Sequence, residues 1–491
     1  MSAAANIIHN VTDILVYRPD EPLIFSSWLF WALFLVFMPI YGMLRNNKLQ
    51  KMLFVTAFSF YFYYKCSGYC ILLMGATSLL DWKLSRIISH PECSRMKKRW
   101  CVAISLLFSL GTLAVFKYAD FAIWNVNALT GSNYQPLDLI LPVGISFYTF
   151  QSVSYIIDVS KGRVKATETW LEYAFFLSFF PALVAGPIVR AESFLPQISE
   201  NHRATRRELF EGLWLIMAGV VKKAIIADYI AQYNDLVFNA PGAYTGFESL
   251  MGIVGYTMQI YCDFSGYSDL AIGIAMIMGF HLGSNFDFPY RACNLSDFWR
   301  RWHISLSTWL RDYIYIPLGG NRRGPLRTYI NNFITMLIGG LWHGAAWKFV
   351  FWGGMHGVGL VSQKALRPLT KHLPDNSVVR TLSWVATISF VAVMWIFFRA
   401  DSWHDAIEIM TSVTKDFSLE SIPAFVSSRT LWCVLMGLII MTHALSRFRE
   451  RSMQWFADAP WIVKLLIFIV IVQVVLELRT ADVVPFIYFR F

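Results

Sequence analysis

The chain has 491 residues, of which 56% are hydrophobic and only 15% charged, whereas soluble globular domains run about 45–50% apolar and about 25% charged. Forty Phe, 22 Tyr and 19 Trp are more aromatic surface than one water-facing core can bury, which excludes an ordinary soluble enzyme. The net charge of +10 does not point to nucleic acid, because the basic residues fall in short clusters between apolar blocks, where the positive-inside rule places them.

The first 22 residues carry Asp13, Asp20 and Glu21 and no basic stretch leading into an apolar core, so no cleavable signal peptide is expected. They read as an extracytoplasmic segment ahead of one membrane domain spanning 23–491. Residues 23–44 are uncharged, as are 381–398, and about 18–20 such residues cross a bilayer. Arg45, Lys48 and Lys51 follow the first block; Lys83, Arg86, Arg95, Lys97, Lys98 and Arg99 follow the third. Both loops read as cytoplasmic, which puts the N-terminus outside a bacterial inner membrane. Residues 118–138, without Lys or Arg, fit the outer side. Seven cysteines without a CxxC make neither a disulfide framework nor a zinc site, and Cys66 and Cys70 read as buried small side chains.

The alternation then breaks. Lys161, Arg163 and Lys165 precede the apolar block 170–188, and Arg190, Arg203, Arg206 and Arg207 follow it. The block is interrupted by Pro181, Gly186 and Pro187, which an unbroken helix does not tolerate. A re-entrant segment is expected, with protein or a water-filled cavity around its irregular backbone.

Between Asn285 and Ile330 there are seven Arg and no Lys. The spacing predicts a helix over 298–313, capped by Ser296 or Asp297. Phe298, Trp302, Leu306, Trp309 and Tyr313 would form its apolar stripe, opposite Arg300, Ser307 and Arg311, with His303 on the border. Such a helix lies in the cytoplasmic interface. Further apolar stretches follow at 329–342, 347–363, 381–398, 430–446 and 461–476. The fold class is all-α and polytopic, with roughly eleven or twelve crossings at about 20 residues each.

Three histidines stand out. His343 follows Gly339, Gly340 and Trp342; His356 follows Gly353 and Gly354; both lie in apolar sequence, where an ionisable side chain is costly and functional by default. The plain alternative for each, and for His303, is a neutral histidine hydrogen-bonded between helices. No HExxH, nucleophile elbow, P-loop or dinucleotide fingerprint is present, and the gap between His343 and His356 is no metal-ligand spacing. Asp263 and Asp269 share a hydroxyl-rich apolar stretch that fits a cation site, a polar channel wall or helix-to-helix hydrogen bonding. Lys222 and Lys223, inside another apolar run, fit contact with an anionic ligand or snorkelling to the interface.

Several stretches together carry a resemblance: Leu141–Gln151 (LPVGISFYTFQ), Asp263–Asp269 (DFSGYSD), the DFWRRWHISLS run from Asp297, the GLWHG run from Gly340, and the Pro485-Phe-Ile-Tyr-Phe ending. In order, from about residue 23 to the end, the sequence resembles the membrane-bound O-acyltransferase superfamily, in its bacterial alginate O-acetyltransferase-like branch. The resemblance implies a helical membrane fold around a tunnel, with the active-site histidine on His343 and the second histidine on His303. It leaves the role of His356 and the identity of the acceptor open.

The expected activity is transfer of an acyl group, acetyl foremost, from cytoplasmic acetyl-CoA toward an extracytoplasmic exopolysaccharide acceptor. No resident cofactor or metal is expected. His343 would serve as general base, and His303 would position the donor. Arg300, Arg301 and Arg311 would meet the coenzyme A phosphates, unless they are only solvated positive-inside charge. Trp342, Asp263, Asp269 and His356 are the other substrate-binding candidates. By resemblance, a periplasmic or membrane-anchored lipase-like transferase is the expected partner. D-alanyl transfer to teichoic acid from a carrier protein, and a cation-coupled transporter, are the alternatives.

Overall fold

A computed structural model describes residues 14–19, 21–184, 186–200 and 202–478, all helix, turn or loop with no strand among them. Most of the N-terminal segment 1–22, including Asp13 and Asp20, and the Pro485 motif lie outside the described residues. The helices divide into two compact units: the first runs to Thr205 and adds Met278–Leu282, and the second comprises Arg206–Ile277 and the chain from Gly283 onward.

In the first unit, α1 (Trp28–Met43), α2 (Lys48–Ser67), α3 (Ile71–Ser89), α4 (Arg95–Thr130) and α5 (Ile145–Ser160) are followed by α6 (Trp170–Ser178) and α7 (Ala191–Glu200). The helix of the first apolar block is shorter than that block. Ser27 caps it by accepting a hydrogen bond from the Phe30 amide, so Leu23, Ile24 and Phe25 are buried ahead of the helix. Its 16 residues extend only about 24 Å at 1.5 Å per residue.

The expected interruption after residue 170 is present. A capping box of Thr169 and Glu172 starts α6; the chain breaks at Phe179, makes one turn over Phe180–Leu183 and leaves helix again. What surrounds this backbone is packed protein: the Phe180 ring lies 5.0–6.2 Å from those of Phe30, Phe37, Phe58 and Phe62. A cavity of about 470 Å³ opens beside its ends, lined by Lys48, Arg163, Lys165, Glu168, Glu172 and Glu192 among others. Asp81 ties this unit together. Its buried carboxylate accepts hydrogen bonds from Ser105, Ser152 and Tyr173, so α3, α4, α5 and α6 meet at one satisfied charge.

The second unit contains α8 (Arg206–Val220), a seven-residue π-helix (Val221–Ala227), α9 (Asp228–Asn239) and the 32-residue α10 (Gly246–Ile277). It continues with α11 (Leu295–Arg301), α12 (Ile304–Leu310), α13 (Gly324–His343), α14 (Trp347–Ala365), α15 (Ser377–Arg399), α16 (Trp403–Lys415), α17 (Ser421–Ser428), α18 (Thr430–Ala444), α19 (Arg447–Asp458) and α20 (Trp461–Leu478). Two helix pairs are held at backbone contact by glycine. On α8 and α10, a Cβ at Gly219 would meet the Gly266 carbonyl oxygen at 2.7 Å, and one at Gly273 the Gly212 oxygen at 2.6 Å. On α13 and α14, a Cβ at Gly353 would lie 2.8 Å from the Gly340 Cα. Small residues at helix crossings are how apolar helices gain close packing without a hydrophobic driving force.

Among the described residues, α4, α15 and α20 are each long and apolar enough to cross a membrane, and α17 with α18 make a fourth such stretch bent by 89°. The other apolar blocks are helical too, but their helices are shorter, are interrupted or carry buried polar groups. The protein is a polytopic, all-α membrane protein.

Candidate active site

The second unit brings His303, His343 and His356 into one aromatic enclosure, with each at most 3% exposed. His343 is the last residue of α13, where Gly344 turns the chain into an extended conformation. Its ring lies 5.0 Å from Trp342, 5.1 Å from Trp352 and 5.3 Å from Phe398. Trp352, one turn before His356 on α14, contacts both histidines: its ring is 4.6 Å from that of His356. Trp299 closes the far side of His356 at 5.1 Å and Phe390 at 5.3 Å. On the other flank Trp342 lies 5.8 Å from His303, and Phe264 of α10 stacks its edge on that imidazole at 4.7 Å. Both ring nitrogens of His356 and the indole N–H groups of Trp299 and Trp352 are buried with no hydrogen-bond partner among the described residues. Buried polar groups are normally satisfied, so this wall has the composition of a place where a polar ligand or water completes the bonding.

The uninterrupted helix expected over 298–313 does not form. Asn294, not Ser296 or Asp297, caps α11. The helix stops at Trp302, His303 takes a left-handed φ of 44°, and α12 restarts at Ile304. A non-glycine residue with positive φ is uncommon and costs free energy that the surroundings must supply. Here the supplier is Asn285, fully buried: its carbonyl accepts from the Ile304 amide, its side-chain oxygen from the Ser305 hydroxyl, and its amide donates to Ser268 on α10. The Asp287 amide also donates to the Arg301 carbonyl. The break turns His303 inward against Phe264 and Trp342. His303 is therefore not at the border of an interfacial helix, and Trp302 is core, 5.0 Å from Trp395.

The arginines sit elsewhere. Arg300 is mostly exposed and pairs with Asp297 at 3.4 Å; Arg301 bridges Asp297 and Asp287 at 3.0 and 2.9 Å; Arg311, on a second π-helix (Arg311–Tyr315), pairs with neighbouring Asp312. Each guanidinium has a local carboxylate, and their side chains lie toward the surface.

Asp263 and Asp269 are ion-paired within the chain. Lys223 Nζ lies 2.5 Å from Asp263 and 2.8 Å from Asp228; Lys222 lies 2.5 Å and Arg449 2.9 Å from Asp269. The lysines do not snorkel, and the helix-to-helix reading accounts for this geometry. Consecutive residues on an α-helix point about 100° apart, but the π-helix at Val221–Ala227 widens the turn and lets both lysines reach α10. Charge spacing alone gave no sign of this pairing. Asn285, Trp299 and Trp352 were likewise not singled out by the sequence.

Residues 165–402 match the MBOAT, membrane-bound O-acyltransferase family. The chain is 41% identical over 386 residues to a probable alginate O-acetylase AlgI of Pseudomonas aeruginosa, covering 77% of this chain and 72% of that protein. It is 35% identical to a peptidoglycan O-acetyltransferase of Helicobacter pylori, covering 74% of each. A teichoic acid D-alanyltransferase of Bacillus subtilis is 29% identical over 57% of this chain and 74% of its own length.

Proposed function

This chain belongs to the membrane-bound O-acyltransferase family, and from that footing we propose that it moves an acetyl group from cytoplasmic acetyl-CoA toward a polysaccharide outside a bacterial inner membrane. The enzyme class, a membrane acyltransferase, follows from the family. A polysaccharide acceptor is supported by relatives described as acting on alginate and on peptidoglycan. The positive-inside reading supports the N-terminus-outside orientation. The partner in this proposal is a separate lipase-like transferase that receives the acetyl group and completes its delivery.

One observation carries the chemical reading: His343 ends α13 inside an aromatic enclosure that also holds His303 and His356. In the proposed step the imidazole of His343 takes the proton of the acceptor hydroxyl while that oxygen bonds to the thioester carbonyl carbon. The C–S bond then breaks, and the collected proton passes to the departing thiolate. In this proposal the bound substrates complete the bonding of the enclosure and the aromatic walls keep bulk water from the thioester, which favours transfer over hydrolysis. His303, held by the Asn285 clamp, positions the donor, and Arg300, Arg301 and Arg311 are the proposed contacts for the coenzyme A phosphates.

The test is His343→Gln in purified protein supplied with acetyl-CoA. Gln keeps polarity and approximate size but takes up no proton near neutral pH. Acyl transfer should fall by at least about 10²-fold, the lower bound for losing a general base, with membrane insertion and donor binding retained. Near-normal transfer at normal protein level would remove His343 from this role and turn attention to His356.

A further inference from the structure

The second unit has a cleft of about 380 Å³ that the acyl-transfer proposal does not use. Its lining is almost wholly apolar, with Trp214, Met217 and Val221 on one side and Leu438, Ile467 and Ile471 on the other. Two cations, Lys222 and Arg449, also face it, and among the described residues no carboxylate does. Both hold Asp269 behind them, 4% exposed. Two positive charges around one negative leave a net charge of +1 on this wall. The carboxylate accepts one N–H from each, while an ammonium has three and a guanidinium five. Donors therefore remain for an anion.

The elements around the cleft say what kind of molecule reaches it. The only buried side chain of α20, which supplies Ile467 and Ile471, is Lys464; such an apolar, outward-facing helix meets lipid. Next to it α19 carries Arg447, Arg449 and Arg451 against Glu450 and Asp458, and exposes Phe448 and Trp455 at 59% each, the make-up of a net-basic amphipathic helix at a bilayer interface. Lys222 belongs to the π-helix, a rare conformation that often accompanies functional sites.

We propose that this cleft binds one anionic phospholipid of the surrounding bilayer, with an acyl chain in the apolar slot and the headgroup phosphate on Lys222 and Arg449. A free phosphate would leave the apolar slot unfilled, and a zwitterionic lipid would bring a second cation to a wall already positive. The site stands apart from the three histidines and does not depend on the acyl-transfer reading.

The measurement is native mass spectrometry of the full-length protein, delipidated in mild detergent and titrated with phosphatidylglycerol or phosphatidylcholine. One phosphatidylglycerol per chain should be retained in preference to phosphatidylcholine. Arg449→Gln should weaken that retention at least about fivefold, the effect of roughly 1 kcal/mol per cation at an anionic lipid. Ala218→Trp, which fills the slot and leaves both cations in place, should weaken both lipids and so answers independently if Arg449→Gln folds poorly. Equal retention of the two lipids by wild type and both variants overturns the proposal. So does displacement of bound lipid by millimolar inorganic phosphate alone, or a site that takes lipid only after residues 479–491 are deleted, since that segment would then be the occupant.

Discussion

Gly353→Ala tests the helix crossing that presents His343. The added Cβ would lie 2.5 Å from the Met336 carbonyl oxygen, 2.8 Å from the Gly340 Cα and 3.0 Å from the Gly340 nitrogen. All three are backbone atoms of α13, so no side chain can swing aside. Carbon atoms settle at about 3.5–4.0 Å, and α13 and α14 must therefore part by about 0.7–1.2 Å. Overpacking of this kind costs about 1–3 kcal/mol. Three residues beyond Gly340 is His343, so the same movement displaces the proposed base, and a misplacement of about 1 Å can cost about 10²-fold in rate. Purified Gly353→Ala should show a lowered thermal midpoint and a larger fractional loss in acetyl transfer from acetyl-CoA. Gly111→Ala is the matched control: it lies within α4 with nothing inside 4 Å of the new Cβ, and helix propensity favours Ala there by about 0.5–1 kcal/mol. A Gly353→Ala protein with unchanged midpoint and turnover would refute the argument that glycine contact sets the position of His343.

Other outcomes follow from the ion pairs and the charges. Lys223→Met removes the cation shared by buried Asp263 and half-buried Asp228 and should destabilise the protein by about 3–5 kcal/mol, read as lost expression or a lowered midpoint; wild-type stability would mean that the carboxylates are neutral or solvated. Arg300→Ala with Arg301→Ala should raise KM for acetyl-CoA and flatten its salt dependence, since phosphate contacts are screened by salt; an unchanged KM leaves these arginines as positive-inside charge. Cysteine probes at positions 95 and 323 should label only from the cytoplasmic side and a probe at 131 only from outside, and labelling of 95 in intact cells by an impermeant reagent would invert the topology.

Much of the helical frame was legible because apolar blocks and punctuation agree. The stretches 347–363, 381–398 and 461–476 fall within α14, α15 and α20, and 329–342 falls within α13. Asn376 before α15 and Ser402 before α16, caps not singled out in the sequence, accept amide hydrogen bonds from Val379 and Asp405. The break at Phe179 was readable from Pro181, Gly186 and Pro187. Its surroundings were not, because the rings around Phe180 come from residues more than a hundred positions earlier.

The three histidines of the candidate site stand out in the sequence, but the geometry that gathers them does not. Hydrophobic periodicity reports which positions are buried, averaged over a regular helix, and Phe298, Trp302, Leu306 and Trp309 satisfy that average on either side of a broken backbone. What breaks it is Asn285, whose three hydrogen bonds reach Ile304, Ser305 and Ser268; no local pattern encodes a partner so far away in the chain. Lys222 and Lys223 follow the same logic, since adjacent lysines look like a snorkelling pair until a π-helix aims both at α10. His343 needs no such device. It ends a helix whose glycines permit close approach, and a helix end can place a side chain without violating the periodicity that leads up to it. Of the three histidines in the enclosure, only His303 sits at a backbone break; His343 ends a regular helix and His356 lies within one.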